Sequence, residues 1–135
     1  MTERHGIPLA VRQTAANVNE GTVLLRLVDT IEPIKRPRGQ PRRSPAKLHA
    51  DKAYASRANR DGLRRRHITP RIARKGVESS AKLGRHRWVV ERDFAWLHAN
   101  RHLLVRYDRD DLIHEAFLHL ACALICWHFI ERLDV

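Results

Sequence analysis

Short apolar runs alternate with helix-forming stretches along the first half of the chain, and this order constrains the fold most. Residues 6–11, 48–50 and 68–72 are short apolar segments typical of strands. Residues 19–31 and 53–65 carry apolar side chains at helical spacing. Strand–helix–strand alternation is typical of α/β folds with at least some parallel pairing. We therefore predict an α/β fold, in which 6–11 leaves a hairpin whose first strand would precede the chain.

Two longer helices are predicted in the second half. Residues 85–104 show an apolar stripe, and Asp110 or Asp111 is placed to cap a helix over 112–133. This last segment is apolar around most of its circumference, but histidines leave it short of the ~18–20 apolar residues that span a bilayer. We expect a helix buried on several sides within one core, and no membrane partner.

The charge balance points to a polyanionic partner. Lys and Arg total 26 against 15 Asp and Glu, which gives a net charge of +11. Basic side chains that neutralise phosphates release counterions and so gain affinity for nucleic acid of any sequence. A solvated basic surface on an unrelated fold is the alternative.

Two segments are predicted to be loops. Residues 33–47 combine prolines, a glycine and basic side chains, which cannot build a packed element. This basic Pro-rich loop either contacts phosphate or serves as a solvated linker. Residues 74–84 are polar and small, and a loop is predicted there as well.

The cysteines of the last helix indicate a reducing compartment. Cys122 and Cys126 lie four residues apart, on one helical face, where they are not expected to bridge. Together with His119 and His128 they suggest a zinc site, but no second matched pair is present in the sequence and core packing is favoured. The prediction is a cytoplasmic protein.

Tryptophans are the residues best suited to stack on unpaired bases. Trp88, Trp96 and Trp127 are available for this role. Trp88 and Trp96 fall near the apolar stripe of the predicted 85–104 helix, so core packing is the favoured interpretation.

Two carboxylates stand out by position. Asp51 follows a short strand, and reactive groups in α/β sheets gather at the carboxyl ends of strands. Glu91 shares one face of the long helix with Gly84, Arg87 and His98, because their spacings of three, four and seven residues return to the same direction. The alternatives are that Asp51 caps a helix and that Glu91 pairs with Arg87 for ~0.3–0.5 kcal/mol.

These stretches resemble the DDE transposases of bacterial insertion sequences. RWVVERDFAWL at 87–97, followed by RHLLVRY at 101–107, is similar to the family's glutamate helix. DKAY at 51–54 resembles its second-aspartate motif, and GIPLAVRQTAAN at 6–17 resembles the segment after its first-aspartate region. HEAFLHLA at 114–121 resembles the family's ending, so the similarity covers nearly the whole chain.

The resemblance implies a ribonuclease-H-like fold with a mixed sheet. It also implies Asp51 and Glu91 as catalytic metal ligands for Mg²⁺, used in strand cleavage and transfer at transposon ends. Lys52, Arg87 and His98 are the implied DNA contacts. Gly84 and His98 depart from the family helix, which has Tyr and Lys at those positions. DNA is the implied partner, with a second copy or an intact transposase as further expected partners.

The family's first aspartate has no counterpart in this sequence. It belongs on a strand before Gly6, and Asp29, the nearest acid, falls within a predicted helix as a surface charge. We therefore expect residues 1–135 to be the C-terminal part of a transposase catalytic domain, lacking its first strands and inactive alone. The alternative is a non-catalytic basic nucleic-acid-binding remnant.

Overall fold

The chain divides into two compact units. The computed structural model describes residues 1–73 and 84–133, with the backbone alone at 84–87. The first, the sheet unit, spans Thr14–Leu83. The second, the helical unit, combines Met1–Gln13 with Gly84–Val135. The loop predicted at 74–84 lies almost wholly outside the described residues.

The sheet unit contains two parallel strands and two helices. Helix α1 spans Leu24–Asp29, β1 Lys47–Ala50, α2 Arg57–Arg65 and β2 Thr69–Ile72. Short 3₁₀ helices at Glu20–Thr22 and Lys52–Tyr54 precede α1 and α2. In the register of the sheet, Lys47 lies opposite Thr69 and Ala50 opposite Ile72. The predicted helices, the two strands and the parallel pairing are confirmed.

The core of this unit lies at the connection between α2 and β2. Leu63 and Ile68 are almost completely buried, and Leu48 and Ile72 are buried beside them on the strands. The Ile68 amide donates to the Leu63 carbonyl at 2.9 Å and the His67 amide to the Arg64 carbonyl at 2.9 Å, which is the Schellman pattern that ends a helix. His67 adopts φ +57 there, a conformation that favours glycine.

Two residues let α1 approach α2 closely. A Cβ on Gly62 would meet the side chain of Leu25, which would have to move to admit a larger residue. Asn59 is buried and donates to the carbonyls of Gly21 at 2.8 Å and Tyr54 at 3.2 Å, so it connects both 3₁₀ helices to α2. Its polar side chain is thereby satisfied inside the unit.

The bidentate ion pair between Asp29 and Arg66 also joins these two helices. The Arg66 Nε donates to Asp29 Oδ1 at 2.7 Å and Nη2 donates to Oδ2 at 2.6 Å. Arg66 lowers the pKa of the Asp29 carboxyl, first through these hydrogen bonds and then through its charge. Asp29 is therefore a half-exposed structural acid at the end of α1, as expected for a surface charge.

The helical unit is built from three helices and the N-terminal segment. Helix α3 spans Gly84–His98, α4 Arg101–Leu104 and α5 Asp111–Glu131. The predicted 85–104 helix is interrupted because Asn100 leaves the helical conformation, at φ −86 and ψ 113. The cap predicted for the last helix is confirmed, since the Asp110 carboxylate accepts from the Leu112 amide at 2.9 Å.

The strand predicted at 6–11 is absent from the described structure. Within this chain, Pro8 makes an isolated antiparallel bridge with Thr2. Pro8 has no amide hydrogen to extend such a ladder. The only sheet in the described residues is the parallel pair β1–β2. The α/β class agrees with this structure, while the mixed, ribonuclease-H-like arrangement stays a prediction.

The prediction that α5 is covered on several sides is wrong. Only Ala121 and Ile125 are buried among its residues, and Leu120 and Trp127 are 56% and 57% exposed. By length and composition alone, the helix also resembles a membrane span, contrary to expectation, and core helices and signal sequences share that composition. Within the described residues, most of the apolar surface of α5 stays exposed to solvent.

Candidate functional site

Asp51 lies at the carboxyl end of β1, as predicted. Its backbone is extended and its side chain is exposed, and its carboxylate accepts a hydrogen bond from the Lys52 amide at 2.5 Å. The side chain thus caps the 3₁₀ helix that follows, as one alternative predicted, and the role of Asp51 as a metal ligand stays a prediction. One amide contact does not use up the lone pairs of a carboxylate. Asp51 therefore retains the chemistry of a metal ligand.

The remaining predicted site residues belong to α3. Arg87 and Glu91 lie one helical turn apart, with Glu91 exposed to solvent and the Arg87 side chain outside the described part of the structure. His98 ends α3, exposed, with its ring centroid 6.1 Å from that of Phe94. Asp51 and Lys52 belong to the sheet unit and these three residues to the helical unit. The shared cleft for Asp51 and Glu91 stays a prediction.

A second acid of α3 was not predicted from the sequence. Asp93 is buried, only 6% exposed, and burial raises the pKa of its carboxyl, against the opposing effects of Thr2 and Arg92. Its Oδ1 lies 2.9 Å from the position that a Cβ on Gly6 would occupy. Gly6 has φ +91, so the N-terminal turn can approach this acid closely. The only sequence signal was an acid two residues from Glu91, on a different helical face.

Both tryptophans of α3 stack with one arginine. The guanidinium carbon of Arg92 lies 4.6 Å from the ring centroid of Trp88 and 4.7 Å from that of Trp96. Trp88 is half-exposed, and Trp127 on α5 donates through Nε1 to Glu131 at 2.8 Å. Core packing was therefore the wrong expectation for Trp88, whereas Trp96 is half-buried and its ring meets that of Phe129 edge to face. Cation–π stacking of this kind is common where arginine meets indole rings.

Basic side chains cluster along α2, beside Asp51. They line an open groove of about 660 Å³, and its basic residues are Lys52, Arg57, Arg60 and Arg64. The apolar periodicity of 53–65 predicted a helix and nothing more. The signal was present in the three arginines, whose spacing of three and four residues places them on one helical face.

The described residues contain no ready-made metal cluster. Among residues 1–73 and 84–133, no group of three or more His, Cys, Asp or Glu side chains could hold an ion. Cys122 and Cys126 are free, half-buried thiols on α5, and burial raises the pKa of Cys122. His128 lines a small apolar groove of about 220 Å³ between α3 and α5 instead.

Comparison with known proteins identifies the family. Residues 1–126 match the family model described as the transposase DDE domain. The chain is 48% identical over 134 residues to a Burkholderia cepacia protein described as "Putative transposase for insertion sequence element IS402". That match covers 99% of this chain and 64% of the relative, and no solved structure matches. The chain belongs to the transposase DDE domain family, which confirms the resemblance carried by the motifs.

Proposed function

We propose that this chain carries part of the DNA-processing site of an insertion-sequence transposase. Family membership over residues 1–126, together with Asp51 at the carboxyl end of β1, is the observation that carries the proposal. The chain spans less than two thirds of the relative it matches, so the activity of a whole transposase is itself part of the proposal. The substrate is the phosphodiester backbone of DNA, and the expected location is the bacterial cytoplasm.

Asp51 and Glu91 are the proposed ligands of Mg²⁺. Both carboxylates are exposed, and carboxylate oxygens are the hard donors that this ion prefers. When bound, the metal would polarise the phosphate and lower the pKa of water. Lys52, Arg87 and His98 are the proposed contacts to DNA phosphates, where Lys52 and Arg87 supply positive charge and His98 supplies it when protonated.

We propose further that the chain alone binds DNA without cutting it. The family chemistry uses three carboxylates, whereas two positions of this sequence match its motifs. In-line attack on a phosphate needs the attacking and leaving oxygens stabilised together, which a single loosely held ion does not provide.

The test measures metal binding and cleavage separately. Mn²⁺ binding is followed by electron paramagnetic resonance for the chain and for Asp51→Asn and Glu91→Gln, and each variant should bind the ion more weakly. Nicking of a labelled duplex carrying the element's ends is then assayed in Mg²⁺ and Mn²⁺, and no product is expected. Nicking by the unchanged chain that disappears in Glu91→Gln would show that the chain is catalytically complete. Equal Mn²⁺ affinity in all three proteins would show that Asp51 and Glu91 are not ligands of the ion.

A second candidate is a non-catalytic basic DNA-binding protein. The net charge of +11 and the basic groove on α2 favour it. The two candidates differ in metal dependence, because phosphate contacts by arginine need no ion. The non-catalytic candidate predicts the same DNA affinity in Mg²⁺ and in a chelator. It also predicts that the chain does not bind Mn²⁺. Assembly with a second copy or an intact transposase is a further proposal, which sedimentation of the chain alone and in a mixture would test.

A further inference from the structure

The groove on α2 is strongly basic, but it contains one acid at its centre. Arg57, Arg60 and Arg64 lie on the same face of the helix, and Lys52 closes one end of the groove. Asp61 is the acid, one turn after Arg57 and three residues before Arg64. Four cations therefore face one carboxylate, which leaves a clear excess of positive charge for an anionic ligand.

Asp61 is paired with two of these arginines. The Arg57 Nε lies 3.6 Å from Asp61 Oδ2, and the Arg64 Nη1 lies 2.8 Å from Oδ1. The Arg57 side chain is 97% exposed and that of Arg64 58% exposed, so both guanidinium groups remain accessible to solvent. Exposed ion pairs of this kind contribute little to stability, and an incoming anion can replace them at low cost.

Arg60 is held differently from the other two arginines. Its Nη2 donates to the carbonyl of Ile72 at 2.7 Å, and the side chain is half-buried. This contact fixes the guanidinium against the end of β2, so Arg60 provides a positioned charge in the floor of the groove. The groove thus combines one ordered arginine with two arginines that are paired to an acid.

We propose that this groove binds the phosphodiester backbone of duplex DNA, and that a phosphate replaces Asp61 as the partner of Arg57 and Arg64. The proposal rests on the proposed function and deepens it, because Lys52 directly follows Asp51 and the groove therefore starts at the proposed metal ligand. Arginine contacts to phosphate position the duplex without reading its sequence. Asp61 acts as an internal competitor that lowers the affinity for DNA.

The dimensions of α2 suit this role. The rise from Arg57 to Arg64 is roughly 10 Å at about 1.5 Å per residue. Each strand of B-DNA carries one phosphate per about 3.4 Å of helix axis, so a face of roughly 10 Å is long enough to reach more than one phosphate. We therefore expect Arg57 and Arg64 to contribute separate phosphate contacts.

The test compares two double variants that remove the same charge. Arg57→Gln with Arg64→Gln removes the two groove arginines, while Arg26→Gln with Arg65→Gln removes two exposed arginines of the same unit outside the groove lining. Binding of a fluorescein-labelled 20-base-pair duplex is measured by anisotropy over a series of NaCl concentrations. The slope of log K against log salt changes by about 0.9 per phosphate contact, so the groove variant should lose about 1.8 from the slope. The control variant should keep it.

Asp61→Asn should act in the opposite direction. Release of Arg57 and Arg64 from the acid should strengthen binding by roughly two- to fivefold, the range set by the weak pairs that are lost. The slope should also become steeper, since both arginines then face phosphate without competition. A general structural role for Asp61 would instead weaken binding. Circular dichroism of each variant checks folding, and the near-complete exposure of Arg57 makes Arg57→Gln alone a safe further variant.

The outcomes separate this inference from the proposed function. The native chain could bind DNA in a salt-dependent way that Arg57→Gln with Arg64→Gln leaves unchanged. That result would overturn the assignment of DNA binding to the groove and preserve the proposed function. No salt-dependent DNA binding by the native chain would overturn both. Tighter binding to an RNA duplex of the same length would overturn the assignment to DNA. Weaker binding in Asp61→Asn, with a native spectrum, would overturn the competitor role.

Discussion

The sheet unit and the helical unit contain similar kinds of apolar residues but bury them very differently. In the sheet unit the apolar side chains of the helix and strands converge, and Leu63 and Ile68 are almost inaccessible to water. In the helical unit, α5 is the longest and most apolar element, but it leaves Leu120 and Trp127 more than half exposed. Apolar composition therefore gives the amount of surface that a chain could bury, whereas tertiary contacts decide how much it does bury.

The difference extends to polar interactions. The sheet unit joins its elements through the buried Asn59 side chain and the bidentate Asp29–Arg66 pair. Contacts of this kind between separate elements fix the relative position of helices. In the helical unit, the ring centroids of Trp96 and Phe129 lie 5.7 Å apart in an edge-to-face contact. Burial raises the pKa of the Asp93 carboxyl in the same unit. The sheet unit should accordingly be the more sensitive of the two to single substitutions.

The largest expected effect is loss of core packing in the sheet unit. Leu63→Ala should lower the free energy of unfolding by about 2–5 kcal/mol, because it leaves a cavity at a fully buried position. Leu120→Ala on α5 should cost less than about 1 kcal/mol, since its side chain is already mostly in water. Urea titration followed by circular dichroism measures both. Equal losses would mean that the α5 face is covered in solution, and the contrast between units would fail.

Helix capping provides a contrast of intermediate size. Ser56 Oγ accepts the Asn59 amide at 3.1 Å at the start of α2, and Asp110 caps α5 in the same way. Each change to alanine should cost about 1 kcal/mol. Native-state hydrogen exchange should show faster exchange in α2 amides for Ser56→Ala and in α5 amides for Asp110→Ala. If both changes accelerated exchange in both helices, the two units would be one cooperative unit.

Replacement of His67 should stabilise the sheet unit. The φ of +57 at His67 is costly for a residue with a Cβ, and His67→Gly removes that cost. Glycine also gives the unfolded chain more conformational entropy, which offsets part of the gain. The free energy of unfolding should therefore rise by about 0.5 kcal/mol. His67→Ala is the control, because it removes the imidazole and keeps the Cβ, and it should give no gain. A loss of stability in the glycine variant would mean that the imidazole itself stabilises the end of α2.

The smallest expected effect concerns the pH dependence of the Asp29–Arg66 pair. Because the folded-state pKa of Asp29 is lowered, its contribution is present above the unfolded pKa and is lost as the pH falls through the folded pKa. Asp29→Asn should therefore cost less than about 0.5 kcal/mol at pH 7, and this cost should shrink as the pH falls through the folded-state pKa of Asp29. Thermal unfolding at neutral and at acidic pH measures the difference. A cost that persists in acid would assign the effect to packing and not to charge.

Local structure and family membership follow from the amino-acid sequence alone. Helical spacing and apolar runs located α1, α2, β1 and β2, and the predicted Asp110 cap stands where α5 begins. The motifs around Asp51 and Glu91 were sufficient to indicate the transposase family. These features depend on residues within a few positions of one another, so spacing and residue type are enough to predict them.

What covers each element depends instead on tertiary contacts. The folded chain pairs Thr2 with Pro8 in place of the expected strand, leaves α5 exposed, and ends α3 at His98 although the apolar pattern continues. It also places Lys52 at the end of a groove with the arginines of α2, which no local pattern connects to it. The physical reason is that hydrophobic periodicity defines a face, whereas burial and site formation depend on which distant residues reach that face.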